Sequence, residues 1–480
     1  MRSWKSSLVD QEAQAKRRDR DAGMRGEGTN VPCPRQGLGA ECAGLVRGRS
    51  GVQGGGVEGY LSAMSSPPVG PYAALQHPNF RRYIVGLFAF TMAVQIQGTV
   101  VGWQIYALTH DKLALGLIGL AEALPFIGFA LYAGHVADRH DRRRVAMTAL
   151  VVLVFCSVAL LVLPLMLAKA PGRVTPLIYA VIVISGVARS FLQPARQALG
   201  QELVPRALFH NAVTWRSGAW QLASVLGPAI GGILYAMGGT TAAYAGDALL
   251  VVVGFLSIAS VRHRSVIDLG HTNEISESLR GGIRFVFKEP ILLGALSLDM
   301  FSVFFGGATA LLPVFAADIL RVGPQGLGLL RSAPAIGAVV TSFVIVHRPP
   351  MEHAGRTLFL AVAAFGLFTI GFGLSTSLWL SVAMLALGGA ADMVSVSIRS
   401  NMLQTLTPPH LFGRVSAVNN VFVGSSNEIG MFESGVTAKL FGTVPSVVLG
   451  GVATLLVVAV TFSRNRPLRA LRRIHEMGEL

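Results

Sequence analysis

The chain has 480 residues, of which 52% are hydrophobic and only 14% are charged, and its mean hydropathy is +0.56. Water-soluble globular proteins carry about 25% charged residues, so this composition excludes an ordinary soluble protein. The formal net charge of +15 does not indicate nucleic-acid binding, because the basic residues lie between apolar segments instead of forming one face. We therefore predict an all-α membrane protein.

The first 63 residues form a separate segment by composition. Residues 1–63 are rich in glycine and arginine and include the low-complexity segment 54–56. Such a segment is typical of disorder, and it lacks the apolar core of a signal peptide. We favour a misassigned start upstream of Met64 over a regulatory tail, because residues 64–82 lead directly, as a cytoplasmic segment, into the first apolar run.

Apolar segments long enough to cross a bilayer core about 30 Å thick then follow one another. The six predicted helices of the first half are 83–108, 113–133, 145–167, 176–197, 212–235 and 241–261. The six predicted helices of the second half are 290–315, 327–346, 358–374, 378–399, 414–440 and 444–462. The expected domains are an N-terminal bundle (83–261), a cytoplasmic central loop (262–289), a C-terminal bundle (290–462) and a basic cytoplasmic tail (463–480).

The distribution of Lys and Arg predicts the orientation, because these residues accumulate in cytoplasmic loops. Residues 139–144 contain four, the central loop contains five and the C-terminal tail contains five, whereas the alternate loops are nearly bare. Both termini are therefore predicted to be cytoplasmic, in the inner (plasma) membrane of a bacterium.

The two halves also share a sequence repeat. A shift of 203 residues superposes one set of residues on another: Arg196, Gln201, Leu203, Pro205, Leu208 and Phe209 on Arg399, Gln404, Leu406, Pro408, Leu411 and Phe412. Transporter folds often duplicate a unit of several helices. The repeat predicts two pseudo-symmetric six-helix bundles around a central cavity.

The loop after predicted helix 2 reads GHVADRHDRRR, residues 134–144. Its glycine permits a tight turn and its arginines anchor a cytoplasmic loop. The loop resembles the loop 2–3 signature of the major facilitator superfamily, with Asp141 where that family usually has glycine. The resemblance implies a cytoplasmic gating loop formed by Gly134, Asp138, Arg139, Arg142 and Arg143.

Two further resemblances concern transport direction. In predicted helix 5, SVLGPAIGGIL resembles a signature of antiporters, although Ala223 replaces its leading glycine. Small residues four apart permit close helix packing and proline bends a helix, which gives a packing role to Gly227, Pro228, Gly231 and Gly232. The segments 297–316 and 388–420 resemble the bacterial transmembrane secretion effector branch, typified by enterobactin exporters, which implies export.

Ionisable residues inside the predicted helices are candidate functional groups, since inserting one such side chain at mid-bilayer costs at least about 2.5–3.5 kcal/mol of free energy. They are Glu122, Arg189, Asp299, Arg331, Asp392, Glu428 and Glu433. The repeat places Arg189 and Asp392 at equivalent positions of helices 4 and 10. In the resembled fold these helices line the central cavity, which implies that the two residues face each other across the pseudo-twofold axis and can pair when one side is closed. The alternative is that waters or backbone groups satisfy each charge separately.

Glu122 and Asp299 are the predicted proton-coupling carboxylates, because a buried carboxylate can hold a proton near neutral pH. The resembled fold would place Asp299 in a cavity with four glutamines: Gln95, Gln97, Gln104 and Gln193. The alternative role for Asp299 is structural hydrogen bonding. Helix 11 is polar at Asn427, Glu428 and Glu433, and beside helix 2 these groups would stabilise one gate conformation.

The predicted function is proton-coupled efflux of a small organic solute, drug-like or siderophore-like, by a secondary transporter that works by alternating access. Its predicted partners are the solute, protons and the lipid bilayer, and it would act as a monomer. The alternatives are an uncoupled facilitator or importer of a small metabolite and a non-transporting sensor on the same fold. The sequence lacks GxxxxGK[ST], HExxH and GxSxG motifs, so no enzyme activity, metal or other cofactor is predicted.

Overall fold

The computed structural model describes residues 70–166, 171–263, 275–347, 353–408 and 411–471. The predicted tail at 1–63, the first residues of the lead-in and the end of the basic tail lie outside these ranges. Within them, all regular secondary structure is helical.

The first half contains four separate helices and one long broken helix. The separate helices are α1 (Pro78–Thr109), α2 (Lys112–Arg139), α3 (Arg142–Met166) and α4 (Pro171–Glu202). The long helix Phe209–Ala259 has non-helical dihedral angles at Gly238 and Gly239, and the φ of 62° at Gly239 is left-handed. Glycine adopts this conformation without a steric penalty, so the chain reverses here and the two arms are labelled α5 (209–237) and α6 (240–259).

The second half has six long helices after a short connecting one, which we call the linker helix (Ile275–Lys288). The long helices are α7 (Pro290–Gly306), α8 (Gly323–Val346), α9 (Ala354–Leu374), α10 (Leu378–Leu406), α11 (Phe412–Phe441) and α12 (Thr443–Arg464). A 3-10 turn and a π-helical turn continue the chain beyond α7, at Ala308–Leu311 and Phe315–Ile319.

Ten helices within the described residues are long and apolar enough to cross a membrane. The broken helix counts once among them, and α11 does not count because its middle, at residues 425–428, is polar. At the side where α2 ends and α3 begins, several helices extend beyond their predicted ends; α2 continues to Arg139 and α10 to Leu406. The expected continuous helix 290–315 is wrong, since α7 ends at Gly306 and the chain continues in short turns.

The linker helix lies in the segment that was expected to be a polar loop. Val286 is fully buried in it and packs against Val415 and Val418 of α11. Gly282 also lies against α11, where an added Cβ would come within 2.9 Å of the carbonyl oxygen of Arg414. This largely polar segment is therefore helical because its apolar residues recur on one face, and that face packs against the second half.

The buried cores are mostly confined to one half. Two clusters contain only residues of the first half, and two contain only residues of the second half. The fifth cluster joins the halves by packing Tyr106 and Leu115 with Phe315 and Phe372.

Close glycine contacts connect the halves at two places near this fifth cluster. A Cβ added to Gly232 of α5 would lie 3.1 Å from the Cα of Gly328 in α8. A Cβ added to Gly116 of α2 would lie 2.9 Å from the Cα of Gly435 in α11. Gly227 and Gly231, of the same predicted motif, lie against α1 at Gln95 and Ile96. The halves are thus in backbone contact at the end of the molecule that we call the closed end.

Widening one of these contacts is expected to open the closed end. Gly232→Val would force α5 from α8 at a cost of about 1–3 kcal/mol, which lowers the population of the closed arrangement about 5- to 150-fold. The measurement is maleimide labelling of Leu115→Cys, buried between the halves, with Cys33, Cys42 and Cys156 replaced by serine. Gly218→Val is the matched control, because Gly218 has no atom within 4 Å of an added Cβ. Equal labelling of the two valine variants would contradict the prediction.

Candidate functional site

A cavity of about 300 Å³ lies between α2, α4 and α11. Charged and amide side chains line it together with small and apolar residues: Glu122, Phe126, Gly186, Arg189, Gln193, Asn420, Val423, Gly424 and Glu428. The helices come from both halves, so a change in the angle between the halves changes this cavity.

An ion pair between Glu122 and Arg189 forms one wall of the cavity. The Nη2 of Arg189 lies 2.7 Å from the Oε1 of Glu122. The pair forms because α2 and α4 approach closely, with Gly186 one turn before Arg189 packed against Pro125. A side chain at 186 would separate the helices, since an added Cβ would lie 3.2 Å from the ring of Pro125.

A second carboxylate reaches the cavity from the other half. Glu428 of α11 lines it, and its Oε2 is buried without a hydrogen-bond partner among the described residues. Its backbone is held against α2 by Gly119, where an added Cβ would lie 2.6 Å from the carbonyl oxygen of Glu428. The cavity thus contains two carboxylates and one guanidinium, and a buried charge without a partner is costly.

Arg331 of α8 connects the two halves through the backbone. Its Nη1 donates to the carbonyl oxygen of Gly98 in α1, at 2.8 Å. The sequence offered no obvious carboxylate for this arginine; the structure gives it a carbonyl group as its hydrogen-bond acceptor and places Glu122 and Glu428 within electrostatic range of it. Gly98 makes room for it, because an added Cβ would lie 2.9 Å from the Nη2 of Arg331.

Asp299 forms a second intramembrane ion pair, away from the cavity. Its Oδ2 lies 2.7 Å from the Nη1 of Arg399 in α10, and the two side chains are 5% and 8% exposed, respectively. The expectation that Asp299 shares a cavity with the four glutamines is wrong in this structure, since α7 and α10 bury it within the second half. Of those glutamines only Gln193 lines the cavity.

The expected pairing of Arg189 with Asp392 is also wrong in this structure, and the other three glutamines lie elsewhere. Arg189 is not paired with Asp392 in the described structure, because Glu122 on the adjacent helix of the same half takes its guanidinium. Gln104 is buried and accepts a hydrogen bond of 2.5 Å from the hydroxyl of Tyr244 in α6. Gln95 and Gln97 lie outside the cavity lining.

The predicted gating loop connects helix ends. Arg142 pairs with Glu202 at the end of α4, and Arg143 donates to the carbonyl oxygen of Ala259, at the end of α6, at 2.6 Å. His263 lies 3.3 Å from the other oxygen of Glu202. Asp138 and Arg139 are exposed on the last turn of α2.

The expected tight turn at Gly134 is wrong, because α2 continues as a helix to Arg139. The reversal occurs instead at His140, and Asp141 starts α3. Its Oδ1 accepts from the backbone N–H of Arg143 at 2.9 Å and of Arg144 at 3.3 Å. A side-chain acceptor at a helix start satisfies otherwise unpaired N–H groups, which gives a physical reason for aspartate where the resembled signature has glycine.

Of the three polar residues predicted in helix 11, only Glu428 lines the cavity. Asn427 is exposed and its Nδ2 donates to the carbonyl oxygen of Val423 at 2.8 Å. Glu433 is half-buried. The polar stretch of α11 therefore presents one carboxylate, and not three groups, to α2.

Sequence reasoning did not identify two polar contacts at the closed end. Lys439 of α11 lies 3.1 Å from Asp111, which precedes α2, and Tyr106 of α1 donates to Asp318 after α7. Both contacts join the two halves. Opposite charges near the ends of helices 2 and 11 were the available signal.

The Asp111 contact is expected to depend on pH and to be weak. Hydrogen bonding from the backbone N–H of Leu113, together with Lys439, lowers the pKa of Asp111. A lowered carboxyl pKa gives a stabilising contact that is full above about pH 4 and lost as the solution becomes more acidic than that. Exposed ion pairs contribute about 0–1 kcal/mol, so Lys439→Gln should raise Leu115→Cys labelling at most about fivefold.

Asp111→Ala should have a larger effect than Lys439→Gln, because Asp111 also caps α2 through Leu113. The double variant should label no faster than Asp111→Ala alone, since the ion pair is already broken in the single variant. Independent, additive effects of the two substitutions would show that the 3.1 Å contact does not couple the halves.

The comparisons with known proteins agree with this architecture. Residues 69–476 match the family described as transmembrane secretion effector. The chain is 28% identical over 396 residues to the enterobactin exporter EntS of Shigella flexneri, covering 79% of this chain and 90% of that protein. These matches concern nearly the whole helical part of the chain.

Solved structures share the fold at low sequence identity. A POT family transporter in complex with a thioalcohol-conjugated peptide has a TM-score of 0.64 at 11% identity, over 81% of this chain and 96% of that one. The xylose transporter XylE from E. coli, in an inward open conformation, has a TM-score of 0.61 at 12% identity, over 84% and 98% of the chains. The chain therefore belongs to the transmembrane secretion effector family of the major facilitator superfamily and is a multi-pass membrane transporter of small molecules.

Proposed function

We propose that this transporter exports a small organic solute, siderophore-like or drug-like, in exchange for protons. The observation that carries the proposal is the cavity in which Glu122 pairs with Arg189 while Glu428 has a buried carboxylate oxygen without a hydrogen-bond partner among the described residues. The relationship to an enterobactin exporter supports the outward direction and the siderophore-like class of solute.

The charge balance of the cavity provides the exchange. Arg189 pairs directly with Glu122, and Arg331 acts on both carboxylates from a longer distance. The buried Oε2 of Glu428 has no hydrogen-bond partner among the described residues, so Glu428 binds a proton or a solute group that is cationic or donates hydrogen bonds. Proton and solute then compete for the same negative charge, and binding of one weakens binding of the other. Gln193 and Asn420, which line the same cavity, provide hydrogen bonds that orient a polar solute.

The arrangement of the helices supports alternating access. In our proposal, α1–α12 form twelve spans in two pseudo-symmetric six-helix bundles, with both termini in the cytoplasm of a bacterial cell. The closed end then faces outward, where Gly232 meets Gly328 and Gly116 meets Gly435, and the cavity is the cytoplasmic loading site. Rocking of the halves about these contacts would release the solute outside.

The test is proton efflux from everted membrane vesicles with an acidified lumen. A catecholate siderophore, a macrolide and a lipophilic cation are added outside in turn, and a pH-sensitive dye reports protons leaving the lumen. Export in exchange for protons predicts efflux that depends on the solute and on the presence of the chain. Solute movement without proton efflux would identify an uncoupled facilitator, and movement in the opposite direction would identify an importer. The absence of any flux across the panel would favour the sensor.

A further inference from the structure

A second and larger cavity, of about 760 Å³, lies between the end of α2, the first half of α3 and α4. Apolar residues form most of its walls, and polar or charged residues lie at one end. The lining residues that matter here are Val152, Ile184 and Phe191 on the walls, and Arg139 and Arg144 at the end. We call this cavity the lateral groove.

The lateral groove lies on the side of α4 that faces away from the transport cavity. On α4 the groove is lined by residues 184, 187, 188 and 191, whereas the transport cavity is lined by residues 186, 189 and 193. With 3.6 residues per turn, the two sets lie on opposite sides of the helix. Ile184 is 50% exposed and Phe155, nearby on α3, is 68% exposed. The groove therefore opens on the outer surface of the helices, where a membrane transporter meets lipid.

The charged end of the groove is positive. The side chain of Arg144 is 83% exposed, and Arg139 and His140 are exposed beside it. The carboxylate of Asp141 is engaged mainly with the N-terminus of α3, and the Nε of Arg144 lies 3.9 Å from it. This end therefore offers two guanidinium groups to an anion at the edge of the membrane.

The dimensions and polarity of the groove fit one class of ligand. Along α3, the wall from Arg144 to Val152 spans eight residues, or about 12 Å. A phosphate at the arginines with a hydrocarbon chain along this wall satisfies both ends, whereas a soluble anion would leave the apolar wall unused. Basic pockets between spanning helices bind anionic lipid headgroups. We propose that the lateral groove binds an anionic phospholipid, whose phosphate contacts Arg139 and Arg144 and whose acyl chain lies against Val152 and Ile184.

Native mass spectrometry of the purified full-length chain tests this site. Phosphatidylglycerol and phosphatidylcholine with identical acyl chains are added at equal concentration, and the lipid-bound fraction is measured during gas-phase activation. The intact chain should retain phosphatidylglycerol preferentially. Each arginine-to-glutamine substitution should weaken this retention about fivefold, and Arg139→Gln with Arg144→Gln about thirtyfold.

Two control variants distinguish binding in the lateral groove from non-specific attraction of an anionic lipid to any positive charge on the protein. Arg356→Gln with Arg464→Gln removes the same charge from exposed positions in the other half and should leave retention unchanged. Thr148→Trp fills the groove at an exposed lining position while both groove arginines remain, and it should weaken retention as strongly as the double arginine variant. The proposal would be overturned if the groove double variant and the control double variant lost phosphatidylglycerol retention equally, or if Thr148→Trp retained the lipid fully. The measurement involves no transport, so its failure leaves the proposed function untouched.

Discussion

Glu122→Gln and Glu428→Gln are each expected to eliminate solute-driven proton efflux while downhill solute exchange continues. Each substitution leaves one carboxylate beside Arg189, because Glu122 and Glu428 line the same cavity as this arginine. The remaining carboxylate can pair with Arg189 and then no longer needs a proton or a positive solute group. Proton efflux should fall to the level of vesicles without the chain, and solute counterflow should persist at the same order of magnitude.

The two variants should remain folded, because one carboxylate still accompanies Arg189 in each. Removal of one partner from a buried ion pair costs about 3–5 kcal/mol when the other charge is left alone. Arg189 is not left alone in Glu122→Gln, because Glu428 lines the same cavity. The double variant should therefore lower the melting temperature more than the sum of the single variants.

Glu289→Gln is the matched control for the transport measurement. Glu289 precedes α7 at the membrane edge and is not among the cavity residues. The same change from carboxylate to amide should leave proton efflux intact there. Full proton coupling in both Glu122→Gln and Glu428→Gln would refute the charge-sharing mechanism.

Most of the helical framework could be predicted from the sequence, because apolar length is a direct requirement of the bilayer. The predicted helices 212–235 and 241–261 leave a gap that contains the reversal at Gly239, although apolar residues continue through it. The segment before α7 shows the limit of this prediction. The linker helix was missed because its mean hydropathy is low; its helical periodicity of apolar residues, which pack against α11, was the signal that could have identified it.

The sequence singled out residues that line the cavity, but it did not show which of them pair with each other. Four of them were singled out because a polar group in an apolar helix is costly unless it has a partner or a function: Glu122, Arg189, Gln193 and Glu428. Their pairing was not predictable from the repeat, since a shift of 203 residues identifies equivalent positions and gives no distances. Contact between α2 and α4 depends instead on Gly186 against Pro125, a small-residue contact that has many possible partners in a sequence rich in glycine.

Arg399 is a second case in which the repeat identified a residue but not its partner. It was recognised only as the repeat partner of Arg196, yet it holds Asp299 at 2.7 Å. Arg196 has a different environment, with its guanidinium 5.5 Å from the ring centre of Phe90. Equivalent arginines in the two halves therefore have a carboxylate partner in one half and an aromatic partner in the other.

The Asp299–Arg399 pair allows the largest stability effect to be predicted. Asp299→Ala should lower the free energy of unfolding by up to about 3–5 kcal/mol, because it removes the direct partner of a buried guanidinium and leaves it only the longer-range attraction of Asp392. Both side chains are less than one-tenth exposed, so water cannot compensate. The measurement is unfolding of the purified chain in mixed micelles, with Asp138→Ala as the control. Asp138 is exposed, and an exposed substitution should change stability by no more than about 0.5 kcal/mol.

A second substitution distinguishes a structural pair from a proton carrier. Asp299→Leu with Arg399→Met replaces both charges with apolar groups, and such replacements of buried ion pairs are neutral or stabilising by about 1–4 kcal/mol. Because Asp299 does not line the transport cavity, this double variant should recover both stability and solute-driven proton efflux. Recovery of stability with loss of proton efflux would instead assign the coupling proton to Asp299. In that outcome the second half would contain the proton site, and Glu122, Arg189 and Glu428 would serve solute binding alone.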